Sequence, residues 1–85
     1  MGYVWDEAKA AENLRKHGPA FEAVHDLDWS PGLYDEDWAP YGEQRFVVVA
    51  PIGDQLVVLV FTETENEVDV RVISLRPATA HEIRR

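Results

Sequence analysis

Gln55-Leu56-Val57-Val58-Leu59-Val60-Phe61-Thr62-Glu63-Thr64 is the stretch on which the fold turns. The run Leu56 to Phe61 is apolar at both odd and even positions. A strand carries that pattern where both of its faces are covered. The segment is therefore read as the central strand of a sheet. Upstream, a Pro51-Ile52-Gly53-Asp54 turn separates it from a strand over Gln44 to Ala50. Downstream, a turn at Glu65-Asn66 leads into a last strand over Glu67 to Leu75. There Val68, Val70 and Val72 alternate with Glu67, Asp69 and Arg71, the pattern of a half-buried strand.

The segment before these strands reads as mainly helical. Tyr3-Val4-Trp5 is a short first strand, and Asp6 is placed to cap a helix over Glu7 to His17. Ala10, Ala11 and Leu14 share one face of that helix and form a thin apolar stripe for close packing on the sheet. Glu12 precedes Lys16 by four positions, the favourable order for a helical ion pair. Gly18 and Pro19 end the helix. A second, shorter helix is expected from Ala20 to about Leu27, with Phe21, Val24 and Leu27 inward.

Between Asp28 and Gly42 the periodicity breaks. Turn residues and the acids Asp35, Glu36 and Asp37 predict a long loop, pinned by Trp29, Tyr34, Trp38 and Tyr41. At the other end, Thr79 with Glu82 three residues on forms a capping box for a short last helix. The order β-α-α-β-β-β-α predicts an α+β fold: a small, mainly antiparallel sheet with helices packed on one face.

The chain has 85 residues, 46% of them hydrophobic, which suits one domain over 1–85. It has no cysteine, so disulfides and thiolate metal sites are excluded and a cytoplasmic setting is expected. The opening residues lack the pattern of a signal peptide, and no apolar run is long enough to span a bilayer, so no membrane role is expected. Sixteen acidic residues against eight Lys and Arg give a formal net charge of −8. That field opposes the approach of RNA. It suits a basic protein partner, or a small cationic site inside an acidic shell. Against this background Arg71-Val72-Ile73-Ser74-Leu75-Arg76 stands out, because a guanidinium presents a planar fork of donors that fits phosphate.

Trp5-Asp6-x-x-Lys9-Ala10-x-x-Asn13-x-x-Lys16-His17-Gly18, followed by Phe21-Glu22, Gly42-Glu43-x-Arg45, Phe61-Thr62 and Arg71-x-Ile73-Ser74-x-Arg76-x-Ala78, resembles the BrnT family. The similarity covers nearly the whole chain. It implies a RelE-like fold and a toxin of a type II toxin–antitoxin pair. It further implies a ribonuclease acting on mRNA, neutralised by a BrnA-like antitoxin through which any DNA contact is made. The family commonly carries an arginine where this chain has Thr64, and many relatives continue their last helix beyond the position of Arg85.

A metal-free ribonuclease must activate a 2′-hydroxyl, stabilise charge on the phosphorane and protonate the leaving oxygen. Arg45, Arg71 and Arg76 are the candidates for charge stabilisation, and Glu43 or His17 for the proton chemistry, with Glu43 the base preferred. Each arginine also has a plainer reading as a surface ion pair. His17 has one too, as a cation at a helix C-terminus. On a regular strand Arg71 and Arg76 fall on opposite faces, and they converge only if the chain bends before Pro77. His17, His25 and the nearby acids show no metal-ligand spacing, and no cofactor or metal is expected. Trp5 and Trp29 read as packing residues, and Trp38 as a partner contact. The rival reading is a non-catalytic module that retains the fold and binds a basic antitoxin or another protein.

Overall fold

The computed structural model describes residues 2–30, 33–37, 44–66 and 68–83. Within them the order is β1 (Tyr3–Val4), α1 (Glu7–His17), a 3-10 segment (Phe21–Asp26), β2 (Leu33–Asp37), β3 (Arg45–Ile52), β4 (Gln55–Glu63), β5 (Val70–Pro77) and α2 (Ala80–Ile83). The fold is α+β. The strands form one sheet in the order β1-β5-β4-β3-β2. β1 runs parallel to β5, and the other neighbours are antiparallel. β4 lies in the middle, as its two-sided apolar run requires. Val58 and Leu59, which point to opposite faces, are both fully buried.

One sheet face carries the main core. Val48 and Ala50 of β3, Val57, Leu59 and Phe61 of β4, and Val72 and Leu75 of β5 meet Phe21, Val24 and Leu27 there. Trp5 packs edge-on against Phe21 with ring centroids 5.9 Å apart, and Trp29 edge-on against Phe61 at 5.3 Å. Both tryptophans are thus packing residues, as read from the sequence. Among the described residues no helix is long and apolar enough to cross a membrane.

The ends of α1 follow local chemistry. The Asp6 carboxylate accepts from the backbone N–H of Ala8 at 2.7 Å and of Lys9 at 3.3 Å. Gly18 closes the helix at φ +97°, where its N–H reaches the Leu14 carbonyl at 3.0 Å. At the far end, the Thr79 N–H donates to Glu82 at 2.8 Å and the Glu82 N–H to Thr79 Oγ1 at 3.3 Å, the reciprocal pair of a capping box.

Several expectations are corrected. The stretch expected as a loop contains β2, paired with β3 from Leu33 opposite Val49 to Asp37 opposite Arg45. Its charges are what an edge strand carries to discourage further pairing, so a solvated composition hid a strand. The order therefore has one more strand than β-α-α-β-β-β-α. The second helix is a 3-10 segment; Phe21 and Val24 are fully buried within it, and Leu27 follows in a bridge to Ile52. β3 runs on through Pro51 to Ile52 rather than stopping at Ala50. Pro51 lies opposite Leu56 of β4 there, and its carbonyl accepts from the Asp28 N–H at 2.9 Å. β5 starts at Val70, and Val68 is exposed in the preceding turn instead of facing inward.

The stripe on α1 is also turned. Leu14 is about half exposed and Ala11 is exposed, while Ala10 packs on the core and Asn13 is buried. The face that meets the sheet therefore runs through Ala10 and Asn13.

Candidate phosphate-binding site

Arg71 and Arg76 share a face of the sheet. The register along β5 sets Arg71 opposite Thr62, Val72 opposite Phe61, Ser74 opposite Val60 and Arg76 opposite Val58. Ile73 is the extra residue of a β-bulge, and it offsets the odd spacing between the two arginines. By sequence alone, convergence requires a bend before Pro77. The bulge achieves it three residues earlier, through register rather than through proline.

On this face the ladders align three short rows. Continuing the pairing of Phe46 with Phe61 by one step sets Arg45 across from Thr62, which is across from Arg71. Val47, Val60 and Ser74 form the next row, and Val49, Val58 and Arg76 the third. Thr62 is buried and ties the first row together, since its hydroxyl donates to the Gln44 carbonyl at 3.0 Å. Arg45 and Arg71 are two strands apart, roughly 10 Å at the usual strand spacing. The row of Arg76 lies four β4 residues further along, about 13 Å at ~3.3 Å per residue.

The two β5 arginines differ in their commitments. Arg76 holds Glu82 through Nη1 and Nη2 of its guanidinium, which donate to Oε1 at 2.7 Å and Oε2 at 2.6 Å. That fork pulls the Glu82 carboxyl down to about 2, with the Thr79 N–H helping, and raises the Arg76 guanidinium in turn. Arg71 is exposed, and its guanidinium makes no hydrogen bond or ion pair among the described residues. It borders a shallow hollow with Val4, Thr64, Glu65, Asn66 and Asp69.

The floor of that hollow is a locked turn. Asn66 Oδ1 accepts from the N–H of Val68 and of Asp69, at 2.8 and 2.9 Å, and from the Thr64 hydroxyl at 2.7 Å. Asn66 Nδ2 donates to Asp69 at 2.9 Å, and the Gly2 N–H reaches the other Asp69 oxygen at 3.0 Å. These two donors, the Asn66 amide first, hold the Asp69 carboxyl below its ordinary range. Thr64 is therefore a member of the turn rather than an open position.

Glu43 lies outside the described residues, as does Trp38. His17 is exposed at the end of α1 and lines a different hollow, with Lys9, Glu12, Asn13, Lys16, Ile73 and Ser74. His25, read as an ordinary surface residue, is exposed and meets the Tyr3 ring edge-on at 5.1 Å. Lys16 pairs with Glu12 at 2.6 Å, as the spacing predicted.

Asn13 is the residue that sequence reasoning passed over. Its Nδ2 donates to the Leu75 carbonyl at 2.6 Å and to the Pro19 carbonyl at 3.2 Å, and its Oδ1 accepts from the Leu75 N–H at 3.1 Å. β1 covers only Val70 and Arg71 of β5, so Leu75 lies beyond that cover and Asn13 satisfies its backbone instead. The available signal was a poor helix former in the middle of a helix, three residues after Ala10.

The family described as ribonuclease toxin, BrnT, of type II toxin–antitoxin systems matches residues 5–82. The chain belongs to this family, whose members are toxin components and have an antitoxin as partner. No curated protein matches the chain.

Proposed function

We propose that this chain is a metal-independent endoribonuclease of RelE-like fold. In this reading it cleaves mRNA in the cytoplasm and is neutralised by a BrnA-like antitoxin, through which alone it meets DNA. The observation that carries the reading is the bulge at Ile73, which brings Arg71 and Arg76 to the same sheet face as Arg45. In the reaction the 2′-oxygen attacks the adjacent phosphorus and the bond to the 5′-oxygen breaks. Glu43 takes the 2′-hydroxyl proton, and the leaving 5′-oxygen takes a proton from solvent water. Arg45 and Arg71 flank the phosphate and stabilise charge on its oxygens as the phosphorane forms. Arg76 binds phosphate in competition with Glu82.

The test is induction of the chain in growing cells, with and without Arg71→Ala, alongside digestion of RNA by purified protein. Growth arrest and RNA cleavage by the wild type, both lost in the variant, are expected. Equal arrest by the two proteins would reject the role of Arg71.

The binding-module reading has its own support. Arg76 is held by Glu82 through two bonds, and the net charge of −8 repels RNA while attracting a basic partner. Capture of a basic DNA-binding protein together with absence of RNA cleavage is the result that favours it.

A further inference from the structure

The chain has two lysines, Lys9 and Lys16, and both line one hollow. They sit seven residues apart on α1, with Glu12, Asn13 and His17 between or beside them on the same helix face. Across the hollow lie Ile73 and Ser74, the bulge of β5. The Lys9 ammonium makes no hydrogen bond or ion pair among the described residues. Lys16 is bound to Glu12 at 2.6 Å, with both side chains about half exposed. The hollow is thus lined by two lysines, a histidine and a serine with a single acidic residue, Glu12, in a molecule whose overall charge is −8.

Ser74 lies on β5 between Arg71 and Arg76, on the arginine-bearing face, and also lines the lysine hollow. The Ser74 row lies two β4 residues from the Arg71 row, about 7 Å at ~3.3 Å per residue. A polyanion lying across the bulge would meet Arg71 on one side and the lysines on the other. The buried amide of Asn13 is committed to Leu75 and Pro19, so it holds the wall of the hollow in place.

We propose that Lys9, Lys16, His17 and Ser74 form a phosphate subsite for single-stranded RNA, holding a nucleotide beside the one at Arg71. The proposal rests on the reading of the chain as an RNA-binding toxin. The lysines act as point charges on the backbone, so the subsite contributes affinity without sequence preference. Glu12 lowers that affinity by occupying Lys16.

The test uses a fluorescein-labelled, mixed-sequence 2′-O-methyl RNA, which lacks the attacking hydroxyl and reports binding alone. Binding is measured as a function of salt for the full chain, for Lys9→Gln with Lys16→Gln, and for Glu12→Gln. The double lysine variant is expected to bind more weakly and to lose about 1.4 from the salt slope, at ~0.7 per phosphate contact. Glu12→Gln is expected to bind more tightly at low salt, a change of sign that partial unfolding does not produce. An unchanged slope in the double variant, or no gain in Glu12→Gln, overturns the subsite. So does a double variant that loses an acidic protein partner while keeping RNA. Cleavage of unmodified RNA is followed in parallel. Lysine-dependent binding without any cleavage by the wild type supports the subsite and sinks the nuclease reading alone. Cleavage with no lysine dependence sinks the subsite alone.

Discussion

The side-chain amide of Asn13 meets both backbone polar groups of Leu75, donating to its carbonyl at 2.6 Å and accepting from its N–H at 3.1 Å across 62 positions of sequence. This two-point clamp does the work of a neighbouring strand. It joins α1 to β5 immediately after the bulge that orients the arginines.

Replacing Asn13 with alanine leaves a buried N–H and a buried C=O without partners. At about 1–3 kcal/mol for each such group, partly relieved by water, the expected loss is about 2–4 kcal/mol. Urea unfolding of Asn13→Ala measures it. A change below about 0.5 kcal/mol, the range of an ordinary surface substitution, would mean that the clamp contributes little.

Arg71 and Arg76 should separate into two behaviours. Arg71→Ala removes a side chain without ion pairs among the described residues, so stability should stay within about 0.5 kcal/mol while toxicity falls. Arg76→Ala removes the tether to Glu82 and should loosen α2, losing about 1 kcal/mol or less for a partly exposed pair. Thermal unfolding and growth assays on the same two variants check both halves.

The Glu82 carboxyl sits at about 2 in the folded chain against 4.5 for the free group. Its folded value is depressed, so its contribution is fully present above about pH 4.5 and is lost as pH falls through about 2. Acid titration of stability should show a component in that window. Glu82→Gln should remove the component and leave the remaining acid limb in place.

Gly18 adopts φ +97° with nothing near the position of an added Cβ. The obstacle to a side chain there is backbone conformation and not crowding. Gly18→Ala should therefore cost about 1–2 kcal/mol, the usual penalty for forcing an L-residue into the left-handed region. Gly2 is a useful contrast, since a Cβ there would come within 2.7 Å of Asp69 Oδ1. If Gly18→Ala is neutral in denaturant, the left-handed cap is not a requirement of this helix.

The fold was legible wherever a residue acts on its own neighbours. The Asp6 cap, the Gly18 stop, the Glu12–Lys16 pair and the Thr79–Glu82 box are contacts within six positions, and each was readable from spacing. The middle place of β4 followed from apolar residues at successive positions. The edge strand β2 was not legible, because its hydrogen bonds come from β3 and its own composition is that of solvated charge. The inward face of α1 was misjudged for a related reason. A buried asparagine is stable only because Leu75 and Pro19 supply partners that no local pattern announces.

Sequence by itself determined the class of the fold, the helix ends, the central strand and the scarcity of positive charge. Tertiary structure alone decided which cations share a surface. Strand parity assigns Arg71 and Arg76 to opposite sides, and one extra residue at Ile73 reverses that assignment. Register is a property of two strands hydrogen-bonded together, and it exists only once β4 and β5 have met.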